Sequence, residues 1–207
     1  MPVPPSLNRP RRIAVFGGAF DPPHGAHVAL VQAAMAELQP DELRIIPTGQ
    51  AWHKPRDLSP ALHRLAMARL AFADLPKVMI DARETERAGP SYTVDTLREL
   101  QREQPGAELF LLLGEDQARA LPSWHAWQEI VQIAIICVAD RGDGTDNQPR
   151  FSAPKLHESR FRQLPMPVLP VSATEIRNQI AARQSLGPLV LEPVARYIEH
   201  HHLYQTA

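Results

Sequence analysis

The chain of 207 residues is long enough to bury a hydrophobic core, and its 44% hydrophobic content excludes a mainly disordered protein. Its 22 lysine and arginine residues nearly balance 23 aspartate and glutamate residues, so a net charge of -1 favours neither nucleic acid nor an anionic membrane as partner. One cysteine allows no disulfide framework, and no apolar run has the length of a membrane span or a secretory signal, which favours a cytoplasmic location.

Short aliphatic runs alternate with longer helical stretches from Arg12 onward, which is typical of a parallel α/β sheet. Residues 1–11 are predicted to form a flexible arm and residues 12–207 a single domain. We predict strands over 12–17, 42–48, 77–81, 108–114, 133–140 and 167–171. We predict helices over 25–39, 60–74, 92–104, 124–132, 172–184 and 193–201, and a long loop over 140–163. The predicted fold is a Rossmann-like, doubly wound parallel sheet with helices on both faces.

The segment GGAFDPPHGAH, residues 17–27, joins the first predicted strand to the first predicted helix. Such a turn lies at the carboxyl ends of the strands, where ligands bind, and the helix start presents backbone N–H groups to an anion. Gly17 and Gly18 would let a phosphate approach the main chain. His24 and His27 are three residues apart, so they would share a face of the first helical turn and could donate to the phosphate.

Several interpretations of this turn compete. Two histidines with no HExxH pattern and no cysteine cluster do not favour a zinc site. The GxGxxG fingerprint and the GK[ST] loop are both missing, which does not favour a dehydrogenase or a P-loop enzyme. A tight turn with solvated histidines and a site for nucleotide phosphates both fit the residues.

The segment VSATEIR, residues 171–177, predicts a second helix start. Ser172 followed three residues later by Glu175 fits a capping box, and Arg177 would lie in the second helical turn. A guanidinium binds phosphate oxygens bidentately, and the hydroxyls of Ser172 and Thr174 can also donate. The alternative is an ordinary capped helix with an exposed arginine. If both helix starts lie at one edge of the sheet, a single triphosphate can bind between them.

The two segments resemble the GGxFDPxHxGH and ISSTxxR signatures of the nucleotidyltransferase superfamily, with Ala26 where most members have glycine. Four further segments resemble, in order and spacing, the bacterial nicotinate-nucleotide adenylyltransferases: IIPTGQAWHKPR, ERAGPSYTVDTLRELQ, LFLLLGEDQARALPSWHAWQEI and EPVARYIEHHHLY. The resemblance extends from about Arg12 to Tyr204 and implies an α/β fold of the nucleotidyltransferase type. It also implies transfer of the adenylyl group of ATP to nicotinate mononucleotide, giving deamido-NAD and pyrophosphate in NAD biosynthesis.

The resemblance implies a role for each matching residue. The implied catalytic residues are His24, His27 and Arg177. The implied ATP-binding residues are Gly17, Gly18, Phe20, His53, Gly114, Asp116, Ser172 and Thr174. Those implied for nicotinate mononucleotide are Thr48, Thr93, Trp124 and Arg141, with the indole of Trp124 stacking on the pyridinium ring. The implied cofactor is Mg²⁺, bound mainly through the ATP phosphates, with no residue assigned as a metal ligand.

Three other functions stay open. The acceptor could be another phosphate monoester, or the protein could be a nucleotide-binding regulator without turnover. A nucleic-acid-binding protein that uses the arginines of the arm is the third, although the balanced charge does not favour it. We expect ATP and nicotinate mononucleotide as partners, with neither nucleic acid nor a membrane. The sequence does not decide between a monomer and a homo-oligomer.

Overall fold

The computed structural model describes residues 9–49, 58–140, 153–167, 169–184 and 189–205, in which parallel strands and helices alternate. The strands are β1 (Arg12–Gly18), β2 (Glu42–Pro47), β3 (Val78–Ile80), β4 (Glu108–Leu113), β5 (Ala134–Asp140) and β6 (Phe161–Pro165). The helices are α1 (Gly25–Leu38), α2 (Ala61–Ala71), α3 (Arg83–Glu86), α4 (Thr93–Glu103), α5 (Glu115–Ala120), α6 (Trp127–Ile133), α7 (Ala173–Ala181) and α8 (Glu192–His200). Short 3-10 helices cover Leu121–Ser123 and Lys155–Arg160. None of these helices is long and apolar enough to span a bilayer.

The strands form one parallel sheet in the order β3-β2-β1-β4-β5-β6. The chain builds outward from β1 through β2 to β3, and then returns to the other side of β1 to add β4, β5 and β6. The direction of building therefore reverses between β1 and β4. In an open α/β sheet this reversal leaves a crevice at the carboxyl ends of the strands, where ligands bind. The predicted doubly wound sheet is confirmed.

Two apolar clusters cover the two faces of the sheet. Successive side chains of β1 point to opposite faces, so Ala14 and Phe16 join one cluster while Ile13 and Val15 join the other. Helices α1, α2, α7 and α8 contribute to the first cluster, and α4, α5 and α6 contribute to the second. Because β1 is buried on both sides, its run of apolar residues is continuous rather than alternating.

The prediction of the sixth strand over 167–171 is wrong. The strand is β6, which pairs with β5 from Phe161 to Pro165 and lies mostly within the predicted loop. Pro167 and Pro170 have no N–H group for a strand ladder, which explains why the described residues of that run, 167 and 169–171, do not pair. Only Leu164 of β6 is buried, so this edge strand lacks an apolar pattern that a sequence could reveal. Residues 141–152 of the predicted loop lie outside the described residues.

The remaining predicted elements agree with the observed ranges to within about three residues. The short helices α3 and α5 were not predicted, and α6 begins at Trp127 because Ala126 before it has a left-handed φ of 50°. In the predicted arm, residues 1–8 lie outside the described residues, whereas two arginines, Arg9 and Arg11, form ion pairs with Asp41 and Glu42.

Candidate active site

A cleft of about 660 Å³ lies at the carboxyl ends of the strands, beside the reversal between β1 and β4. Its lining includes residues at the ends of β1, β2, β4 and β5, such as Gly18, Thr48, Gly114 and Ala139. The predicted site residues that line it are His24, His27, Arg177, Gly17, Gly18, Phe20, Gly114, Ser172, Thr174, Thr48, Thr93 and Trp124. Residues from both ends of the chain therefore meet in one cleft, as the two motifs predict.

Three predicted site residues are not in this set. His53 and Arg141 lie outside the described residues, so their roles stay predictions. Asp116 is exposed in the first turn of α5, the helix that Gly114 caps, and is not among the residues that line the cleft. The ATP-binding role of Asp116 therefore also stays a prediction.

The two glycines at the end of β1 have different roles. Phe20 adopts a left-handed φ of 49°, and its ring folds back over Gly18, where a Cβ atom would lie 3.1 Å from the ring. A Cβ atom on Gly17 would meet no described atom within 4 Å, so this position faces the open cleft. A side chain at position 18 would therefore press on the Phe20 ring, while Gly17 leaves room for a ligand near the backbone.

The histidine pair forms the start of α1. His24 is the N-cap residue, His27 is the third helical residue, and their ring centroids are 3.8 Å apart, which confirms the shared first turn. The backbone N–H of His24 donates to Nδ1 of His27 at 3.1 Å. Because Nδ1 accepts, the proton of the neutral His27 ring is on Nε2, which is then a donor. Ala26 is the second residue of α1, where alanine suits a helix.

The second motif forms the start of α7, as predicted. Ser172 is its N-cap residue and accepts a hydrogen bond from the backbone N–H of Glu175 at 3.1 Å. Arg177 donates to Oγ1 of Thr174 at 3.0 Å and to the main-chain oxygen of Asp21 at 2.8 Å. Since Asp21 lies in the turn between β1 and α1, a hydrogen bond joins the two motifs directly across the cleft.

Asp21 holds this turn from within the protein, a role that the sequence analysis did not assign. Its side chain is only 1% exposed. One carboxyl oxygen, Oδ2, accepts from the backbone N–H of Ser59 at 3.2 Å, and Oδ1 accepts from the hydroxyl of Tyr204 at 2.6 Å. Asp21 therefore connects the turn between β1 and α1 to the start of α2 and to the segment after α8.

Arg64 of α2 is a second buried charge that the sequence analysis missed. It is 3% exposed and donates to three main-chain oxygens: Ala19 at 3.1 Å, Thr48 at 2.7 Å and Ser59 at 2.8 Å. These carbonyls belong to the turns after β1 and β2 and to the segment before α2. The signal in the sequence is the position of Arg64 at helical spacing from Met67, Ala68 and Ala71, the buried residues of the same helix.

The far part of the cleft combines aromatic rings with hydroxyl groups. Trp124 follows the 3-10 helix Leu121–Ser123 and lines the cleft together with Thr93 and Thr48. His125 follows Trp124, and its ring centroid lies 4.6 Å from the ring centroid of Tyr92. A flat ring could stack on these aromatic groups while its polar substituents meet the hydroxyls, which fits the predicted pyridine pocket.

A buried carboxyl group, Glu84, also lines this part of the cleft. It is 5% exposed, and its two oxygens accept from the hydroxyls of Thr96 at 2.7 Å and Thr48 at 3.1 Å. Burial raises the pKa of Glu84 above its ordinary value, although these two hydrogen bonds lower it in part. Glu84 therefore orients Thr48, one of the residues predicted to bind the acceptor.

Comparison with known proteins agrees with this geometry. A family model described as cytidylyltransferase-like matches residues 15–179, which include both motifs. A probable nicotinate-nucleotide adenylyltransferase of Albidiferax ferrireducens is 68% identical, covering 95% of this chain and 100% of its own length. The chain belongs to the nicotinate-nucleotide adenylyltransferase family. A further family member, from Methylibium petroleiphilum, is 45% identical and is covered over 92% of its length.

Solved structures of nicotinate-nucleotide adenylyltransferases share the fold. The Plasmodium falciparum nicotinic acid mononucleotide adenylyltransferase complexed with NaAD has a TM-score of 0.75, with 94% of this chain and 97% of that chain covered. A putative member from Vibrio parahaemolyticus has a TM-score of 0.69 over 95% of this chain. Their identities of 20% and 18% show that the fold is common to them while the sequences have diverged.

Proposed function

We propose that the protein transfers the adenylyl group of ATP to nicotinate mononucleotide, producing deamido-NAD and pyrophosphate in NAD biosynthesis. The observation that carries this proposal is the hydrogen bond from Arg177 to Asp21, because it joins the two helix starts at one cleft. The names of the relatives that are 68% and 45% identical support the choice of acceptor.

The reaction needs positioning and charge stabilisation more than proton transfer. A phosphate oxygen of the mononucleotide, already ionised at neutral pH, attacks the α-phosphorus of ATP. A new bond forms between that oxygen and the α-phosphorus, while the bond from the α-phosphorus to the bridging oxygen breaks and pyrophosphate leaves. Because both reactants are anions, the protein must hold them in line and offset the charge that develops on the departing group.

The donors at the two helix starts suit this task. Nε2 of His27 and the guanidinium of Arg177 would donate to the phosphates, together with His24 and the backbone N–H groups that begin α1 and α7. Gly17 leaves space for the chain of phosphates near the backbone. At the far part of the cleft, Trp124 would stack on the pyridinium ring.

We propose that Mg²⁺ is held mainly by ATP phosphate oxygens and water. Among the described residues, two carboxyl groups line the cleft, those of Asp21 and Glu84, and both accept hydrogen bonds from other residues of the chain. Among the described residues there is no group of three or more histidine, cysteine, aspartate or glutamate side chains arranged to hold a metal. When bound, Mg²⁺ would neutralise part of the charge on the triphosphate.

We also infer a cytoplasmic location. The support is Cys137, the one cysteine of the chain, which lies buried in β5. Burial raises the pKa of its thiol to about 12, so the thiol stays protonated and is unreactive at neutral pH. A single protected thiol fits a reducing compartment, where no disulfide is needed.

The proposed reaction is tested by supplying ATP with different acceptors and measuring pyrophosphate together with the second product. Nicotinate mononucleotide should give equal amounts of pyrophosphate and deamido-NAD, at a higher rate than pantetheine phosphate or another phosphate monoester. Nicotinamide mononucleotide, used in parallel, measures how strictly the pocket selects the carboxylate. A faster reaction with another phosphate monoester would show that this compound, and not nicotinate mononucleotide, is the acceptor. Absence of pyrophosphate with every acceptor would favour a nucleotide-binding regulator instead.

A further inference from the structure

We propose that Tyr204 is a positioning residue for Arg177 and acts through Asp21, so that the segment after α8 belongs functionally to the phosphate-binding site. This inference rests on the proposed adenylyl transfer. It adds a residue that neither motif contains, and one that lies 183 residues from Asp21 in the chain.

Different atoms of Asp21 form the two contacts. Its side-chain oxygen Oδ1 accepts from the Tyr204 hydroxyl at 2.6 Å, and its main-chain oxygen accepts from Nη1 of Arg177 at 2.8 Å. The second carboxyl oxygen accepts from the backbone N–H of Ser59 at 3.2 Å. Tyr204 and Ser59 thus both hold the Asp21 side chain, while the Asp21 carbonyl orients the guanidinium.

The contact between Tyr204 and Asp21 is a short hydrogen bond to a buried carboxyl group. A separation of 2.6 Å is typical of a hydroxyl that donates to an ionised carboxylate, which is one of the stronger kinds of hydrogen bond. Burial, together with the adjacent Asp21 carboxylate, raises the pKa of Tyr204, so its hydroxyl stays protonated and remains the donor.

The backbone of Tyr204 also indicates that its side chain is held in place. Its φ is 64°, in the left-handed region that residues with a Cβ atom seldom adopt. A bulky residue persists in this region only where the surrounding contacts require it. The hydroxyl bond to Asp21 and the approach of the hydroxyl to Sδ of Met67, at 3.9 Å, are contacts of this kind.

Loss of the Tyr204 hydroxyl would remove the hydrogen bond to Oδ1 of Asp21, one of the contacts that hold this side chain. The carbonyl that orients Arg177 would then be less fixed, and the guanidinium would spend less time in position for the departing pyrophosphate. The variant would therefore stabilise less of the charge that develops in the transition state, which lowers kcat. Binding of nicotinate mononucleotide at Trp124 and Thr93 does not involve these groups, so its KM should change little.

The test compares Tyr204→Phe with Tyr197→Phe. Tyr197 is a matched control because its hydroxyl lies 3.0 Å from Nδ1 of His63, at the packing of α8 on α2, and does not line the cleft. Tyr204→Phe should lower kcat about tenfold to a hundredfold, the effect expected for a hydrogen bond to a charged group. The KM for nicotinate mononucleotide should stay within about twofold, and Tyr197→Phe should keep the wild-type kcat.

A double-mutant cycle separates positioning from general stability. In the background of Arg177→Ala, Tyr204→Phe should cause no further loss of kcat, because the group that it positions is gone. The same loss in both backgrounds, or a wild-type kcat for Tyr204→Phe, would overturn the inference. If Tyr204→Phe does not fold, Asp21→Asn weakens the same contact and should show the same coupling to Arg177→Ala.

If the proposed adenylyl transfer is wrong, the experiment shows this separately from the role of Tyr204. Wild-type protein would then form no pyrophosphate with any acceptor, and binding of inorganic triphosphate replaces kcat as the measurement. Tyr204→Phe should bind inorganic triphosphate more weakly than wild type, while Tyr197→Phe should bind it equally. Equal binding by all three proteins would overturn the positioning role of Tyr204.

Discussion

His27 and Arg177 carry donor groups that other residues orient before any ligand binds. The backbone N–H of His24 sets the tautomer of His27, and the carbonyl of Asp21 holds Arg177 at 2.8 Å. A donor that is already oriented needs no rearrangement when charge develops on a phosphate, so more of its interaction stabilises the transition state. We therefore expect these two side chains to dominate the rate.

Replacing either donor should reduce turnover without unfolding the protein. His27→Ala and Arg177→Ala should each lower kcat about a hundredfold to a thousandfold, the cost typical of losing one preorganised donor. Steady-state rates of pyrophosphate release, with thermal unfolding of each variant, are the measurement. His200→Ala is the matched control because His200 is exposed at the end of α8 and should keep the wild-type rate. Near-wild-type turnover by folded His27→Ala would remove this histidine from the mechanism.

Trp124 should act on the acceptor alone. Loss of the stacking surface in Trp124→Ala should raise the KM for nicotinate mononucleotide about tenfold, as for other aromatic stacking contacts, with a smaller change for ATP. Trp127→Ala is the control, because the Trp127 ring packs against the His157 ring, with the ring centroids 5.6 Å apart, and does not line the cleft. Equal increases in both KM values for Trp124→Ala would argue against stacking.

Glu84 should make stability depend on pH. Burial raises its pKa in the folded protein, so the folded state holds this proton more tightly than the unfolded state. The associated stabilisation is complete below the ordinary glutamate pKa of about 4.3, and it is lost as the pH rises through the folded pKa. The free energy of unfolding of Glu84→Gln should therefore increase relative to wild type as the pH rises above about 4. Urea unfolding at several pH values measures this difference, and a constant difference would contradict it.

The sequence suggested the residues of the proposed phosphate site but not the residues that support them. His24, His27 and Arg177 are recognisable because short motifs contain them and because helix starts attract anions. The supporting roles of Asp21 and Tyr204 depend on hydrogen bonds between residues that are far apart in the chain. A short motif contains no information about such distant partners. Buried hydrogen-bond partners of this kind become visible only when the fold brings the turns together.

Helix α2 contributes to the site through Arg64, which ties together the turns after β1 and β2 and the segment before the helix itself. Arg64→Met should lower the free energy of unfolding by about 3–5 kcal/mol, because the buried guanidinium and its hydrogen bonds to three partly buried carbonyl groups are lost. Arg69→Met is the matched control on the exposed side of α2 and should change it by less than about 0.5 kcal/mol. Chemical denaturation of both variants and of the wild type measures these changes in the free energy of unfolding.

A loss of less than about 1 kcal/mol for Arg64→Met would contradict this role for the buried guanidinium. Such a result would mean that the three turns keep their positions without it.

Elements with a clear apolar pattern were predictable, and those without one were not. The buried strands β1, β4 and β5 are continuous apolar runs, and α4 has a regular apolar face. In contrast, β6 buries one residue, and α3 and α5 have four and six residues, too few to show a helical period. Their positions are set by pairing with β5 and by the turns at the sheet edge rather than by local pattern.

The whole molecule brings the two motifs together through the order of its strands. The sequence predicted a doubly wound parallel sheet, which places every strand-to-helix turn at one edge. It did not predict that β1 would lie between β2 and β4, and this central position is what sets the glycine and histidine turn beside the reversal. Helix α7 follows β6 in the chain, and the hydrogen bond from Arg177 to Asp21 joins the start of α7 to the same cleft.

Binding of inorganic triphosphate, measured by titration calorimetry, tests most directly whether both helix starts hold one chain of phosphates. Wild-type protein should bind it in competition with ATP, and His27→Ala and Arg177→Ala should each weaken its affinity about tenfold or more, as expected for a charge-assisted hydrogen bond. If either variant binds inorganic triphosphate as tightly as wild type does, the two motifs do not share one polyphosphate.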